Sequence, residues 1–133
     1  DKGFDFAQAL RAVLRQDQNI ILVGEIRDKE TAEIAINASL TGHLVLTTLH
    51  ANSAPATFAR LMEIGAPGHL LADAIRLIIA QKLIKRENPE DALPGRKAVA
   101  EFLEPTEAYN ELIKRKASIR EFEEFYQQSK KQS

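Results

Sequence analysis

The chain has 133 residues, of which 44% are apolar and 28% charged, and its formal net charge is −1. This composition is typical of a folded domain with its own core, and the balanced charge argues against binding to nucleic acid or to an anionic membrane surface. The absence of cysteine excludes disulfides and thiolate metal sites. No apolar run approaches the ~20 residues that cross a bilayer, so we expect a cytoplasmic domain.

Helical and strand patterns alternate through the first 48 residues. The stretch "FAQALRAVLR" predicts an amphipathic helix, and "NIILV" predicts a buried strand. Asp28 is the expected N-cap of a helix through "KETAEIAINASL", and "LVLTT" predicts a second buried strand over residues 44–48. The order strand, helix, strand predicts an α/β fold with a parallel sheet and flanking crossover helices.

Residues 52–86 carry signals for two further helices. Asn52 or Ser53 is the expected cap of a helix that ends at about Met62, and "GAPG" predicts a turn. The stretch "HLLADAIRLIIAQKLIKR" then predicts one long helix. Its expected inward-facing residues are Leu71, Ile75, Ile78 and Ile79.

The polar connection "ENPEDALPG" is the best candidate for a boundary, dividing the chain into residues 1–86 and 87–133. Beyond it, "RKAVAEFLEP" predicts one more strand at the edge of a sheet. Two helices are expected next, over residues 107–116 and from 119 to about 128, and "FEEFY" supplies an apolar face on the second. The last residues, "QQSKKQS", predict a frayed tail.

Functional side chains are expected where the two predicted strands end. Glu25 comes just after the first strand, and His50 two residues after Thr48. Neighbouring strand ends lie roughly 5 Å apart, or about 10 Å with one strand between them, so both side chains would face the crevice where α/β sheets bind ligands. A glutamate there can orient a water or reach Mg²⁺ through water. A histidine can hydrogen-bond a terminal phosphate, and the Arg27 guanidinium can hold a phosphate or a carboxylate.

His43 differs from His50 because it precedes the second strand. About five residues at ~3.3 Å each separate it from Thr48, roughly 16 Å. From this distance it cannot easily share a phosphate with His50, and we expect it to orient the turn or support the sheet.

The stretch "LRAVLRQDQNIILVGEIRDKETAEIAINASLTGHLVLTTLHANSA" closely resembles the secretion-superfamily ATPases, the motors of type II secretion and type IV pili. In that family "ILVGEIRD" corresponds to the Walker B segment and "TGHLVLTTLH" to the His box. The resemblance covers roughly residues 4–86 and continues weakly through "GRKAVAEFLEPTEAYNELIKRK". It implies a RecA-like P-loop NTPase domain followed by a small helical region.

The resemblance also implies roles for individual residues. Glu25 would be the Walker B glutamate, catalytic and near Mg²⁺ and the attacking water, and His50 would face the γ-phosphate of ATP. Gly24 and His43 would belong to the nucleotide site, Gly24 in the place of the Walker B aspartate and His43 as the first histidine of the His box. Arg27 is also expected among the nucleotide-binding residues, from its position after the first strand. The implied cofactors are ATP and Mg²⁺, and the implied partners are a homo-hexamer and inner-membrane platform proteins, with the motor cytoplasmic or peripheral to that membrane.

Three features found in members of this family are missing from these 133 residues. No G-x-x-x-x-G-K-S/T occurs, so the lysine-bearing loop that holds phosphates is absent, and so is the family's acidic box. The chain is therefore expected to be the C-terminal half of a motor domain, and the isolated chain to be inactive. The zinc-binding cysteine insertion of some members is also absent, so no zinc is expected.

Plainer interpretations of the same residues stay open. Glu25 could form an ion pair with Arg27 at the end of a strand, and His50 could be a structural histidine. The main alternative function is a non-enzymatic oligomerisation or partner-binding module that uses the C-terminal helices. A metal site of two histidines and a carboxylate is disfavoured because a strand separates His43 from His50, and nucleic-acid binding ranks last.

Overall fold

The computed structural model describes residues 5–85 and 95–132. In chain order, this part contains α1 (Phe6–Leu14), β1 (Ile20–Val23), α2 (Lys29–Leu40), β2 (Leu44–Thr47), α3 (Ala56–Ile64), α4 (Gly68–Ala74), β3 (Ile78–Lys85), β4 (Arg96–Leu103), α5 (Glu107–Lys114) and α6 (Ile119–Lys131). The strands form two pairs, β1 with β2 and β3 with β4. The predicted α/β class is confirmed.

The pair β1–β2 is parallel, as the sequence predicts, and runs from Ile20 opposite Leu44 to Val23 opposite Thr47. Its inner face packs on α1 and α2, where Ile21 and Val23 are buried beside Leu10. The outer face is exposed and carries four large apolar side chains: Ile20, Leu22, Leu44 and Leu46. The prediction of buried strands is therefore wrong for the outer face, because in the described residues helices cover only one face of this pair.

The prediction of one long helix over residues 69–86 is wrong. Helix α4 ends at Ala74, and the chain continues as strand β3. Strand β3 pairs antiparallel with β4 along its whole length, from Ile78 opposite Leu103 to Lys85 opposite Arg96. This pairing gives the backbone of β3 hydrogen-bond partners distant in sequence, and β-branched isoleucines suit a strand. The additional strand predicted in "RKAVAEFLEP" is confirmed.

Helix ends follow local capping signals. The Asp28 carboxylate accepts hydrogen bonds from the Thr31 backbone N–H at 2.8 Å and from the Thr31 hydroxyl at 3.1 Å, which confirms the predicted cap of α2. Ser53 caps less directly: Pro55 occupies the N-cap position of α3, and the Ser53 Oγ accepts the Ala56 N–H at 3.2 Å.

Helix α3 extends to Ile64, two residues beyond the predicted end, and stops at Gly65. Gly65 has φ +101°, in the left-handed region that favours glycine. A Cβ built on Gly65 would also approach the Lys29 side chain to 3.1 Å.

The main core joins the helices of both predicted parts of the chain. The Phe58 ring of α3 stacks on Tyr109 of α5, with centroids 5.4 Å apart, and on Phe122 of α6, at 5.5 Å. The apolar face of "FEEFY" thus points inward, since Phe122 and Tyr126 are buried. Residues 87–94 of the candidate boundary lie outside the described residues, and the division at residue 86 stays a prediction.

Helix α6 has an N-terminal capping box and continues to Lys131, so the frayed tail predicted from residue 127 is wrong up to that point. The Ser118 hydroxyl accepts the Glu121 N–H, and the Glu121 carboxylate accepts the Ser118 N–H, which lowers the pKa of Glu121. None of the helices in the described part has the length and hydropathy of a membrane-spanning segment.

Candidate functional site

The segments that follow β1 and β2 stay joined beyond the ends of the strands. The Ile26 N–H donates to the Thr48 carbonyl oxygen at 3.1 Å, and the Thr48 hydroxyl donates to the Gly24 carbonyl oxygen at 2.6 Å. Ile26 is buried in the main core. These bonds fix the backbone on both sides of Glu25.

Glu25 contacts two basic side chains through its two carboxylate oxygens. Oε1 lies 3.1 Å from His50 Nε2, and Oε2 accepts a hydrogen bond from Arg27 Nε at 2.8 Å. The Glu25 side chain is 23% exposed, whereas His50 is 91% and Arg27 78% exposed. The structure therefore brings together the carboxylate and imidazole that the strand ends were expected to place in one crevice, and it also contains the Glu25–Arg27 ion pair left open as the plainer interpretation.

This arrangement has the components of proton transfer and phosphate recognition. A half-buried carboxylate within hydrogen-bond distance of an imidazole can accept a proton from a water or orient it. An exposed imidazole and an exposed guanidinium can both donate hydrogen bonds to an anion. The chemical roles of these three side chains remain predictions.

His43 lies at the opposite end of β2 from this cluster. Its Nδ1 is 3.1 Å from the Ala38 carbonyl oxygen and 3.4 Å from the Thr41 hydroxyl, and its backbone N–H donates to the same Ala38 oxygen at 3.1 Å. These contacts orient the turn between α2 and β2. The assignment of His43 to a nucleotide site stays a prediction, without support from these contacts.

Gly24 stands in open space between β1 and Glu25. A Cβ built on this residue would meet no atom within 4 Å. The described residues therefore do not themselves require glycine here.

Thr48 is a structural part of the site that sequence reasoning missed, through its hydroxyl bond to Gly24. A threonine at the end of a strand gives no sequence signal of such a bond, because threonine is common in strands anyway. Within residues 5–85 and 95–132, no three His, Asp or Glu side chains lie close enough to hold a metal ion by themselves.

The entire chain, residues 1–133, matches the family described as "Type II/IV secretion system protein". The type IV pilus assembly ATPase PilB of Pseudomonas aeruginosa is 59% identical over 85 residues, which are 64% of this chain and 15% of that protein. PilB of Myxococcus xanthus is 55% identical over 95 residues, 71% of this chain and 17% of that protein. The chain thus spans less than a fifth of the length of these relatives.

Two solved structures share the fold. The pilus retraction motor PilT, solved with bound ADP, superposes with a TM-score of 0.74 and 36% identity, covering 95% of this chain and 36% of PilT. The Legionella pneumophila ATPase DotB gives a TM-score of 0.69 and 33% identity, covering 90% of this chain and 32% of DotB. These neighbours are RecA-like ATPases, so the α/β fold of this chain is part of a RecA-like domain.

The resemblance to secretion-superfamily ATPases is therefore confirmed, while the correspondence of residues 21–28 and 41–50 to the Walker B and His-box segments stays a prediction. The family match extends through β3, β4 and the C-terminal helices, beyond the stretch in which the resemblance is strongest. The chain belongs to the type II/IV secretion system protein family.

Proposed function

We propose that this chain is the C-terminal part of an ATP-hydrolysing motor that powers type II secretion or the assembly or retraction of type IV pili. The observation that carries the proposal is the 3.1 Å contact between Glu25 and His50 beyond the ends of two parallel strands. Relatives and structural neighbours named as ATPases support it.

In this proposal Glu25 and His50 have different roles at one site. Glu25 orients and polarises the attacking water, because its carboxylate is half-buried and fixed by the backbone around it. His50 donates a hydrogen bond to the terminal phosphate, and its exposure leaves the imidazole free to reach an incoming nucleotide.

The observed contacts suggest an order for these events. Both Glu25 oxygens are engaged, Oε1 with His50 and Oε2 with Arg27. A terminal phosphate that takes the His50 N–H competes directly with Oε1, and the released oxygen is then available to a water. Arg27 keeps Oε2 in place, so the carboxylate stays oriented when its other partner changes.

The donor chemistry of the site fits Mg²⁺ in part. Mg²⁺ in nucleotide sites is usually held by one or two carboxylates together with phosphates and waters, and Glu25 supplies one carboxylate. We propose that Glu25 would hold Mg²⁺ through water, that the bound ion would supply positive charge beside the phosphates, and that the P-loop half of the parent protein supplies the phosphate-binding loop.

The remaining assignments belong to the same proposal. Gly24 leaves room for the nucleotide, Arg27 holds the Glu25 carboxylate beside it, and His43 contributes by orienting the turn before β2. The parent protein acts as a homo-hexamer on inner-membrane platform proteins, at the cytoplasmic side of that membrane.

The test is Glu25→Gln in the parent protein that contains this chain. We expect kcat for ATP hydrolysis to fall by about 10²- to 10⁴-fold, the usual contribution of a positioned general base, while ATP binding changes little. The matched control is Glu63→Gln, since Glu63 pairs with Arg60 on the exposed surface of α3. A Glu25→Gln parent protein that hydrolyses ATP at the normal rate contradicts the proposal.

The same variant separates the alternative function. A partner-binding module would support secretion or pilus assembly equally well with Glu25→Gln, whereas a motor would not. For the isolated 133-residue chain we expect negligible ATP hydrolysis, because it contains no phosphate-binding loop. Hydrolysis by this chain that Glu25→Gln abolishes would show that the P-loop half is not needed.

A further inference from the structure

The loop between β2 and α3, residues 48–55, carries His50 and is anchored by side chains from distant elements. Ser53 is 4% exposed. Its Oγ accepts the Ala56 N–H at 3.2 Å and donates to the Glu123 carboxylate of α6. The hydroxyl thus connects the start of α3 to a carboxylate 70 residues later in the chain.

A second carboxylate reaches the same loop from β4. The Ala54 N–H donates to Glu101 Oε2 at 3.2 Å, and Glu101 Oε1 lies 3.6 Å from Lys82 Nζ on β3. The Glu101 side chain is 22% exposed, and its carboxylate connects Lys82 of the strand pair to the loop. Two elements of the C-terminal part therefore bind adjacent residues of one loop.

The His50 side chain is far less enclosed than these anchoring groups. It is 91% exposed and contacts the Glu25 carboxylate. The position of the imidazole therefore depends on the backbone of the loop, and Ser53, the anchored residue, is only three residues away, about 10 Å of extended chain at most.

We propose that Glu123 and Glu101 are positioning residues that hold this loop so that His50 reaches Glu25, which couples α6 and the β3–β4 pair to the strand-end site. A displacement of α6 relative to α3 would move Ser53 and, through it, His50. The consequence for ATP hydrolysis rests on the function proposed above, whereas the positioning of His50 does not.

The test compares Glu123→Ala with Glu124→Ala in the 133-residue chain. Glu124 is the adjacent residue of α6 and pairs with Arg120 at the surface, so it is a matched control. We expect hydrogen exchange of the Ala56 amide to become about tenfold faster in Glu123→Ala, because Ser53, whose Oγ accepts this amide, loses its own hydrogen bond to Glu123. We expect no change in Glu124→Ala, and recovery in Glu123→Gln, whose amide oxygen can still accept the Ser53 hydroxyl.

A second measurement follows His50 directly through the NMR resonances of its imidazole. Glu123→Ala should shift these resonances toward their positions in Glu25→Gln, and adding Glu123→Ala to Glu25→Gln should change them little further, as for two residues that act through one contact. Unchanged resonances in Glu123→Ala, or equal changes in Glu124→Ala, would overturn the proposal.

In the parent protein, Glu123→Ala should lower kcat for ATP hydrolysis and leave KM for ATP nearly unchanged. The two proposals can fail separately. If the His50 resonances shift as expected but the Glu25→Gln parent still hydrolyses ATP, the proposed function is refuted and the positioning of His50 is supported. The opposite result, normal resonances with an inactive Glu25→Gln parent, would refute the positioning alone.

Discussion

The two strand pairs are stabilised in different ways. Strands β1 and β2 are four residues long, run parallel, and bury one face against α1 and α2. Strands β3 and β4 are eight residues long, run antiparallel, and bury mainly the end where Ile78 meets Leu103. The parallel pair therefore depends on side-chain burial. In the outer part of β3–β4, the part away from Ile78 and Leu103, backbone hydrogen bonds between the strands are the main contacts.

This difference determines where each pair can carry function. The parallel pair is fixed by a crossover helix and holds Glu25 and His50 at its carboxyl end. The antiparallel pair contributes through Glu101, a partly buried side chain that binds the loop of His50. Substitutions of buried and of exposed side chains can test whether each strand pair is stabilised by side-chain burial or by backbone pairing.

The largest expected effect is that of Phe58→Ala, in the core that joins the two regions. Phe58 is fully buried and stacks on Tyr109 and Phe122, so its truncation should lower the free energy of unfolding by about 3–5 kcal/mol. Urea denaturation measures this change. Phe102→Ala is the matched control, because this β4 side chain is mostly exposed; equal effects of the two variants would contradict the assigned core.

The next effect is that of Val23→Ala in the parallel pair. Val23 is buried against α1 and α2, and we expect a loss of about 2 kcal/mol in the free energy of unfolding. Leu22→Ala removes a larger side chain from the exposed outer face of the same strand and should change it by less than about 0.5 kcal/mol. A greater loss for Leu22→Ala would mean that the outer face is covered in this chain.

A smaller effect is expected at the cap of the crossover helix. Asp28→Ala removes the acceptor of the Thr31 N–H and should cost about 1 kcal/mol of unfolding free energy. Asp28→Asn keeps an acceptor oxygen and should differ from the wild type by only a few tenths of a kcal/mol. Thermal unfolding of the two variants, side by side, distinguishes loss of the hydrogen bond from loss of the charge.

The smallest effect is expected in the outer part of the antiparallel pair. Leu83 is 64% exposed on β3, and Leu83→Ala should change the free energy of unfolding by less than about 0.5 kcal/mol. Urea denaturation beside Val23→Ala gives the comparison between the two strand pairs. A loss as large as that of Val23→Ala would show that side-chain packing stabilises the antiparallel pair as well.

The sequence predicted much of the candidate site, but not the contacts that hold the loop of His50 in place. Glu25 and His50 could be brought together from sequence because each follows a short strand, and parallel strands place their carboxyl ends at one edge. The anchoring of the loop by Glu101 and Glu123 could not be predicted. These residues are separated from it by 47 residues and more, and a glutamate on a strand or helix is usually a solvated residue.

By itself the sequence determined the elements whose signals are local: α1, the crossover unit from β1 to β2, the Asp28 cap and the C-terminal helices. Capping, turn chemistry and apolar periodicity act within a few residues and are therefore readable along the chain. Only the tertiary structure decided that residues 78–85 form a strand and that one face of the parallel pair is exposed. The apolar spacing of residues 78–85 is equally compatible with a helix. Pairing with β4 makes these residues a strand, and β4 follows a polar connection, too far along the chain for local sequence patterns to predict the pairing.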